Sequence, residues 1–265
     1  MKQDRLRMLA VRLSVVRTLT LAEAVEYLGV SESTARRLFA QLERSGDAIR
    51  THGGIRCVEH MLTAYSFEQV VKTNIEKKTA IGKRACDFLE DGDVIFCDSG
   101  TTIRCFCAEL LETVQRKKLN IKLYTNSLAN LELLSPHMNV ALLGGEYRAN
   151  RKDFCGYITE QALKGIFFTK SFVSADGCID GKMFTTTDFD TMRINEVAIQ
   201  NARQTFMLVD SSKFSVSTHI AYAPTEKIHT VITDEEIRRD VLEKLESSNV
   251  RVICTETNKC KEKCV

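Results

Sequence analysis

Residues Asp93-Val94-Ile95-Phe96-Cys97-Asp98-Ser99-Gly100-Thr101-Thr102 decide the architecture of most of this chain. An apolar run of strand length stops at a carboxylate, passes through a loop of small residues and opens a helical pattern over 102–111. Strand, short loop and helix in that order form the repeating unit of α/β proteins.

Moving outward, the same alternation continues. Strand-like runs lie at 121–125, 139–143, 171–175, 205–209, 229–232 and 250–253, after the first at 93–97. Helical patterns lie at 81–89, 127–134, 158–165, 190–202 and 235–246. Strands separated by helices predict an α/β fold with a mostly parallel sheet covered on both faces. The alternation begins at Glu76, so an α/β domain is expected over 76–255, with a short tail at 256–265.

Upstream the pattern is different. Leu6, Leu9, Leu13 and Val16 fall at helical spacing within 4–17. Thr20 and Glu23 form a capping-box pair for a second helix, Leu21 to Leu28, and Gly29-Val30 makes the turn. Ser31 caps a third helix over about 32–45, closed by Ser45-Gly46. Two short extended pieces, 48–50 and 55–58, flank Thr51-His52-Gly53-Gly54 as a hairpin. Three helices and a hairpin within residues 1–58 describe a winged helix-turn-helix, and residues 59–75 read as a linker.

Charge supports the division. Residues 1–60 hold ten Lys/Arg against seven Asp/Glu, an excess of +3, while the whole chain is only +2. A basic excess in a helix-turn-helix suits a surface that meets phosphates. The third helix of such a module enters the major groove, where hydroxyls and guanidiniums contact base edges. Ser31, Ser33, Thr34, Arg36 and Arg37 are the candidates there, and Arg50, His52 and Arg56 are candidates for the wing along the backbone.

The ten cysteines are expected as reduced thiols of a cytoplasmic protein, because the chain opens on charged residues and carries no long apolar run. Cys86, Cys97, Cys155, Cys178 and Cys254 lie in apolar segments and read as small core residues. Cys105-x-Cys107 and Cys260-x3-Cys264 lack a second pair at zinc spacing, so neither metal nor cofactor is expected, and no membrane partner.

In the larger domain, Asp98, Ser99, Gly100, Thr101 and Thr102 sit where a helix N-terminus offers free N–H groups, a chemistry suited to phosphate. An ordinary capped turn is the competing reading. Further polar loops follow later strands: Asn126 and Ser127, Gly144 and Gly145, Asp176, and Lys213. Loops at the carboxyl ends of parallel strands line the ligand crevice of such sheets. There Lys213 would neutralise a phosphate, while Asp176 and Asn126 would bind sugar hydroxyls.

The run Gly29-Val30-Ser31-Glu32-Ser33-Thr34-Ala35-Arg36-Arg37, with Arg50-Thr51-His52-Gly53-Gly54, resembles the N-terminal domain of DeoR-type regulators. Asp98-Ser99-Gly100-Thr101-Thr102, Thr125-Asn126-Ser127, Gly144-Gly145, Ala175-Asp176-Gly177 and Asp210-x-Ser212-Lys213-Phe214 recur in order in the C-terminal domain of that family. The chain departs from the family at Ala35 and Leu38, and at Thr191 and Asn195, where Glu and Lys are common. The resemblance implies a sensor fold similar to ribose-5-phosphate isomerase and a non-enzymatic repressor of a carbohydrate operon. Its partners would be double-stranded operator DNA, a phosphorylated sugar and further copies of itself, as a homodimer or homotetramer. The competing reading is a sugar-phosphate isomerase fused to a DNA-binding domain, with Asp176, Asp180 or Glu196 as base.

Overall fold

The computed structural model describes residues 5, 6, 8, 9, 12, 13, 16, 18–44, 48–51, 53–57, 66–216 and 218–256. The chain divides into two compact units, Met1–Tyr65 and Ser66–Val265.

In the first unit the described residues between 5 and 16 are helical (α1). They are followed by Thr18–Thr20 (β1), Leu21–Leu28 (α2), Glu32–Arg44 (α3), Ala48–Thr51 (β2) and Gly54–Cys57 (β3). The predicted capping box is present: Glu23 N–H donates to Thr20 Oγ1 at 3.2 Å, and Thr20 N–H donates to Glu23 Oε2 at 2.8 Å. Gly29 ends α2 at φ 59°, the left-handed conformation that lets the chain turn into α3. Leu9, Leu13, Ala24, Leu28, Leu38, Phe39 and Leu42 form the core with Leu19, Ala48 and Ile55 from the strands. Leu38, where the family's usual residue differs, is thus a core side chain. The hairpin gains a third strand that the sequence reading lacked, because β1 pairs antiparallel with β3. Three residues are too few to show a period of two.

The second unit opens with Phe67–Val70 (α4) and Ile75–Ala85 (α5). Residues 66–75, expected as linker, are therefore packed: Phe67 is buried and its N–H donates to the Asn150 carbonyl at 3.0 Å. The rest of that stretch, 59–65, lies outside the described residues. Helix α5 also begins earlier than the expected 81, since its first turn carries charged residues whose burial the sequence pattern hides.

Val94–Cys97 (β4), Thr101–Lys117 (α6), Lys122–Thr125 (β5), Leu128–Leu134 (α7) and Val140–Leu142 (β6) follow. A ribbon of Glu146–Arg148 (β7) and Asp153–Cys155 (β8) leads to Tyr157–Lys164 (α8) and Phe168–Val173 (β9). Gly177–Ile179 (β10) and Met183–Thr186 (β11) precede Phe189–Gln200 (α9) and Ala202–Leu208 (β12). Ile220–Pro224 (β13), Thr230–Asp234 (β14), Arg239–Ser247 (α10) and Arg251–Thr255 (β15) complete the unit. Among the described residues, seven strands form one sheet in the order β15-β14-β12-β9-β4-β5-β6, and every pairing in it is parallel. All seven correspond to the strand runs read from sequence. The short strands β10, β11 and β13 make a separate antiparallel sheet that was not anticipated.

Strand alternation sorts the core. Ile95, Cys97, Phe172, Phe206 and Ile232 face α5 and α6, where Phe106 stacks on Phe172 at 4.3 Å and Phe172 on Phe206 at 5.0 Å. Phe96, Val173, Met207 and Val231 face the opposite layer, built from Leu163, Ile194, Ala198, Val241 and the small sheet. Cys86, Cys97, Cys155 and Cys178 are buried as expected, but Cys254 is exposed. It lies on β15, the edge strand of the sheet.

The winding of the sheet matters for function. From β4 the chain adds β5 and β6 to one side, then crosses to place β9, β12, β14 and β15 on the other. The order of the sheet therefore reverses between β4 and β9, where the loops after the two strands meet through Asp98 and Ser174.

Candidate functional site

On the first unit, Ser31, Ser33, Arg36 and Arg37 are exposed on α3 and its cap, and Thr34 is half-buried. Ser31 Oγ lies 3.0 Å from Ser33 Oγ and 3.1 Å from Thr34 Oγ1, so the hydroxyls form one cluster at the helix start. Arg36 is paired only loosely with Glu32, at 3.5 Å, with 62% and 69% of the two side chains in solvent. Ala35 and Leu38 turn into the core, which fixes the outward face of α3. Arg50 is exposed on β2, donates to the Arg36 carbonyl at 2.8 Å and reaches Glu43 at 3.7 Å, which ties the hairpin to α3. Arg56 is exposed on β3, and His52 lies outside the described residues.

In the second unit, Asp98 occupies the crevice between β4 and β9 and is 3% exposed. Its Oδ1 accepts from Gly100 N–H at 2.7 Å. Its Oδ2 accepts from Ser174 N–H at 2.7 Å, from Ser174 Oγ at 2.9 Å and from Asn195 Nδ2 at 3.2 Å. Burial pushes the carboxyl up to about 6, against these donors, which pull it down. No cation pairs with Asp98 among the described residues; Asn195 stands at the family's lysine position and supplies only an amide. Gly100 is obligatory here, since a Cβ would lie 1.9 Å from Ser174 Oγ.

Thr101 and Thr102 begin α6, whose N-cap Gly100 provides no side-chain bond to the first turn. The first-turn N–H groups of α6 therefore receive no cap from that residue. Ser99 Oγ donates to Asp153 Oδ2 at 2.7 Å. Asp153 is fully buried and gripped by Arg148, whose Nε and a terminal nitrogen reach the two carboxylate oxygens at 2.9 and 2.7 Å. Arg148 extends to Asp188 at 2.7 Å, and Arg151 reaches Asp188 at 2.9 Å and Thr187 Oγ1 at 2.7 Å. Asp176 joins the same net, its Oδ2 accepting from Thr186 Oγ1, Thr187 N–H and Thr187 Oγ1, each at 3.0 Å.

Other expected residues have structural duties. Asn126 clamps β8 by donating to the Phe154 carbonyl at 2.9 Å, and its buried Oδ1 has no partner among the described residues. Ser127 caps α7 by accepting from Asn130 N–H at 3.2 Å. The Gly144 carbonyl accepts from Thr159 Oγ1 at 3.0 Å, and Gly145 packs against Thr159 and Cys155. Lys213 is half-buried on the turn after β12; its N–H donates to the Asp210 carbonyl at 3.0 Å, and its ammonium has no hydrogen bond or ion pair among the described residues.

Comparisons with known proteins bear on both units. The DeoR-like helix-turn-helix domain matches residues 5–61, and the DeoR C terminal sensor domain matches residues 73–235. The chain belongs to the DeoR family. The lactose phosphotransferase system repressor of Lactococcus lactis subsp. lactis is 35% identical over 91% of this chain and 94% of its own length. The HTH-type transcriptional regulator IolR of Bacillus subtilis is 29% identical over 83% and 86%. Among solved structures, ribose 5-phosphate isomerase A from Methanocaldococcus jannaschii covers 54% of this chain and 55% of its own at 19% identity and a TM-score of 0.42. That likeness is too low to carry any argument about activity.

As a DeoR-family member the chain is a DNA-binding transcriptional regulator with a sensor domain, and not an enzyme. Asp176 is wrapped by three donors, and Asp180 is solvent-exposed on a turn beside Lys244. No described helix is long and apolar enough to cross a membrane. Arg148, Arg151, Asp153, Asp188, Asn195 and Lys78 were missed from the sequence. Arg148, Arg151 and Asp153 lie on the β7–β8 ribbon, Asp188 caps α9 and Asn195 stands midway along it, and no sequence spacing announces their meeting; only Asn195 carried a signal, as a departure from the family's lysine.

Proposed function

We propose that the chain represses a carbohydrate-utilisation operon from the cytoplasm, and that a phosphorylated sugar bound in the crevice between β4 and β9 changes its operator affinity. The repressor names of the lactose phosphotransferase relatives support the regulatory half of this reading. The observation that carries the effector half is the loop Asp98–Thr102, with an uncapped helix N-terminus on one side and buried carboxylate and amide groups on the other. Free N–H groups suit the phosphoryl end of a ligand, and Asp98, Ser174, Asp176 and Asn195 suit its hydroxyls.

Each residue then has a task. Ser31, Ser33, Thr34, Arg36 and Arg37 read bases, with His52 and Arg56 on the phosphates and Arg50 holding the wing in place. Ser99, Gly100, Thr101, Thr102 and Lys213 take the phosphate. Asn126, Ser127, Gly144 and Gly145 shape the rim. The reading unit ends near residue 58 and the sensor runs to about 255. The working form is a homodimer or homotetramer, because palindromic half-sites mirror a protein twofold axis.

The test is a fluorescence-anisotropy titration of an operator selected from random duplexes, repeated with a panel of phosphorylated and free sugars. A phosphorylated sugar should shift the operator Kd and its free sugar should not. Selection that recovers no preferred duplex, or an operator Kd that ignores the whole panel, would defeat the proposal.

A further inference from the structure

Among the described residues, three of the four most exposed large apolar side chains stand together on the second unit. Tyr157 is 74% exposed, Ile158 67% and Phe189 63%. They lie at the starts of α8 and α9, which lead into the neighbouring parallel strands β9 and β12 and pack in one layer of the core. Both helices therefore run in the same direction, with their starts at one end. Two contacts tie those starts together: Cys155 Sγ donates to Asp190 Oδ2 at 3.7 Å, and Arg193 reaches Glu160 at 3.7 Å. Thr159 and Leu163 turn inward from α8, so Ile158, Gln161 and Ala162 face out. Helix α10 of the same layer shows the contrasting case. Its outward residues are Arg239, Asp240, Glu243 and Glu246, the charges expected of a solvated face.

The apolar groups are carried on fixed backbone. Gly156, just before Tyr157, takes φ 85°, and Glu146 packs over it. Asp188, the N-cap just before Phe189, accepts from Thr191 N–H at 2.8 Å and is held by Arg148 at 2.7 Å and Arg151 at 2.9 Å. Side chains presented on a fixed backbone lose little freedom when a partner covers them, which makes them effective anchors.

Area and charge decide what covers this face. At these exposures the three side chains present roughly 400 Å² of apolar surface. A twofold axis counts that area twice, and about 800 Å², extended by Gln161, Ala162 and the surrounding backbone, reaches the ~1,000 Å² at which specific interfaces begin. The three side chains carry no charge, and Arg193 and Glu160 between the helices neutralise each other. Two copies can therefore meet here, apolar on apolar, without like-charge repulsion, as an isologous contact requires.

We propose that the starts of α8 and α9 form a twofold interface with a second copy of this chain, anchored by Tyr157, Ile158 and Phe189. The proposal rests on the oligomer reading above and assigns it a surface.

The test is sedimentation of the full chain over a range of concentrations. Wild type should self-associate reversibly. Ile158→Asp and Phe189→Ser should each raise the constant for dissociation into smaller species at least about thirtyfold, the loss of one buried anchor. Their far-UV circular dichroism should match wild type, since neither side chain belongs to the core. Arg239→Ala, on the charged face of α10, should associate as wild type does. A photo-reactive p-benzoylphenylalanine in place of Phe189 should cross-link to α8 or α9 of the other copy, a readout that needs no loss of association. A wild-type dissociation constant in either patch variant, an equal loss in Arg239→Ala, or a cross-link that falls elsewhere overturns the proposal and leaves an oligomer built on another surface. A wild type that stays monomeric at every concentration overturns the oligomer reading as well, and gives the patch to a different partner.

Discussion

Arg36 on the recognition helix and Arg148 on the sensor ribbon carry the same guanidinium, and their surroundings use it in opposite ways. Arg36 keeps 62% of its side chain in water and shares a loose 3.5 Å contact with Glu32. Arg148 keeps 18% and closes a two-pronged bond on Asp153, which has no exposure at all. The same division runs through both units. Ser31, Ser33, Arg37 and Arg56 are exposed around a purely apolar core. In the sensor, Lys78, Asp98, Lys170, Asp93 and Asn195 are all buried. A solvated charge costs almost nothing and is available to a partner, whereas a buried charge must be matched or left as a demand for one.

This contrast can be broken most severely at Arg148. Arg148→Ala leaves Asp153 charged and enclosed, and should cost the sensor about 3–5 kcal/mol in urea denaturation. A loss below about 1 kcal/mol would mean that water reaches Asp153 and that the network is a surface feature.

Next in size is the pH response of Asp98. A carboxyl raised from its ordinary value to about 6 binds more protons folded than unfolded between roughly pH 4 and pH 6. Its contribution is complete below about pH 4 and is lost as the pH climbs through 6, up to about 3 kcal/mol in all. Asp188 and Asp234 act in the opposite sense. Burial would raise both, but Arg151 and Arg148 for the first, and Ser211 and Lys77 for the second, hold them low. The informative quantity is therefore the difference between wild type and Asp98→Asn across pH 4–7, which should change steadily with pH. A constant difference would show that Asp98 is ionised throughout.

Smaller effects belong to the other unit and sharpen the comparison. Arg37→Ala or Arg36→Ala should weaken operator binding by roughly 1–3 kcal/mol if a base contact is lost. Stability should stay within about 0.5 kcal/mol, because both side chains stand in solvent. An unchanged operator Kd for both variants would move recognition elsewhere on the unit. Smallest is Thr20→Ala, which removes the cap of α2 and should cost about 1 kcal/mol of stability in the first unit alone. Separate thermal transitions for the two units would show the loss in one of them.

Much of the architecture was legible without coordinates because local rules govern it. Thr20, Glu23 and Gly29 bound α2 by capping and by the left-handed turn, and the result matches. Apolar runs of four to six residues gave all the strands of the parallel sheet, since strands covered on both faces need little else. The missed strands β1, β7, β8, β10, β11 and β13 have three to five residues and exist through their pairings. The loop Asp98–Thr102 was recognisable as a strand-to-helix turn, but the contacts of Asn126 and Ser127 were not, because both look inward to neighbouring backbone.

The sequence by itself determined the helix limits around the turn at Gly29, the succession of strands and helices, and the outward chemistry of α3. Each of these depends on residues within a few positions of one another. Tertiary structure alone decided that Lys78 is enclosed, that Asp153 meets Arg148, and that Asn195 reaches Asp98 across 97 positions. Desolvation depends on everything packed around a group, and no spacing along a chain records what will arrive there from a distance.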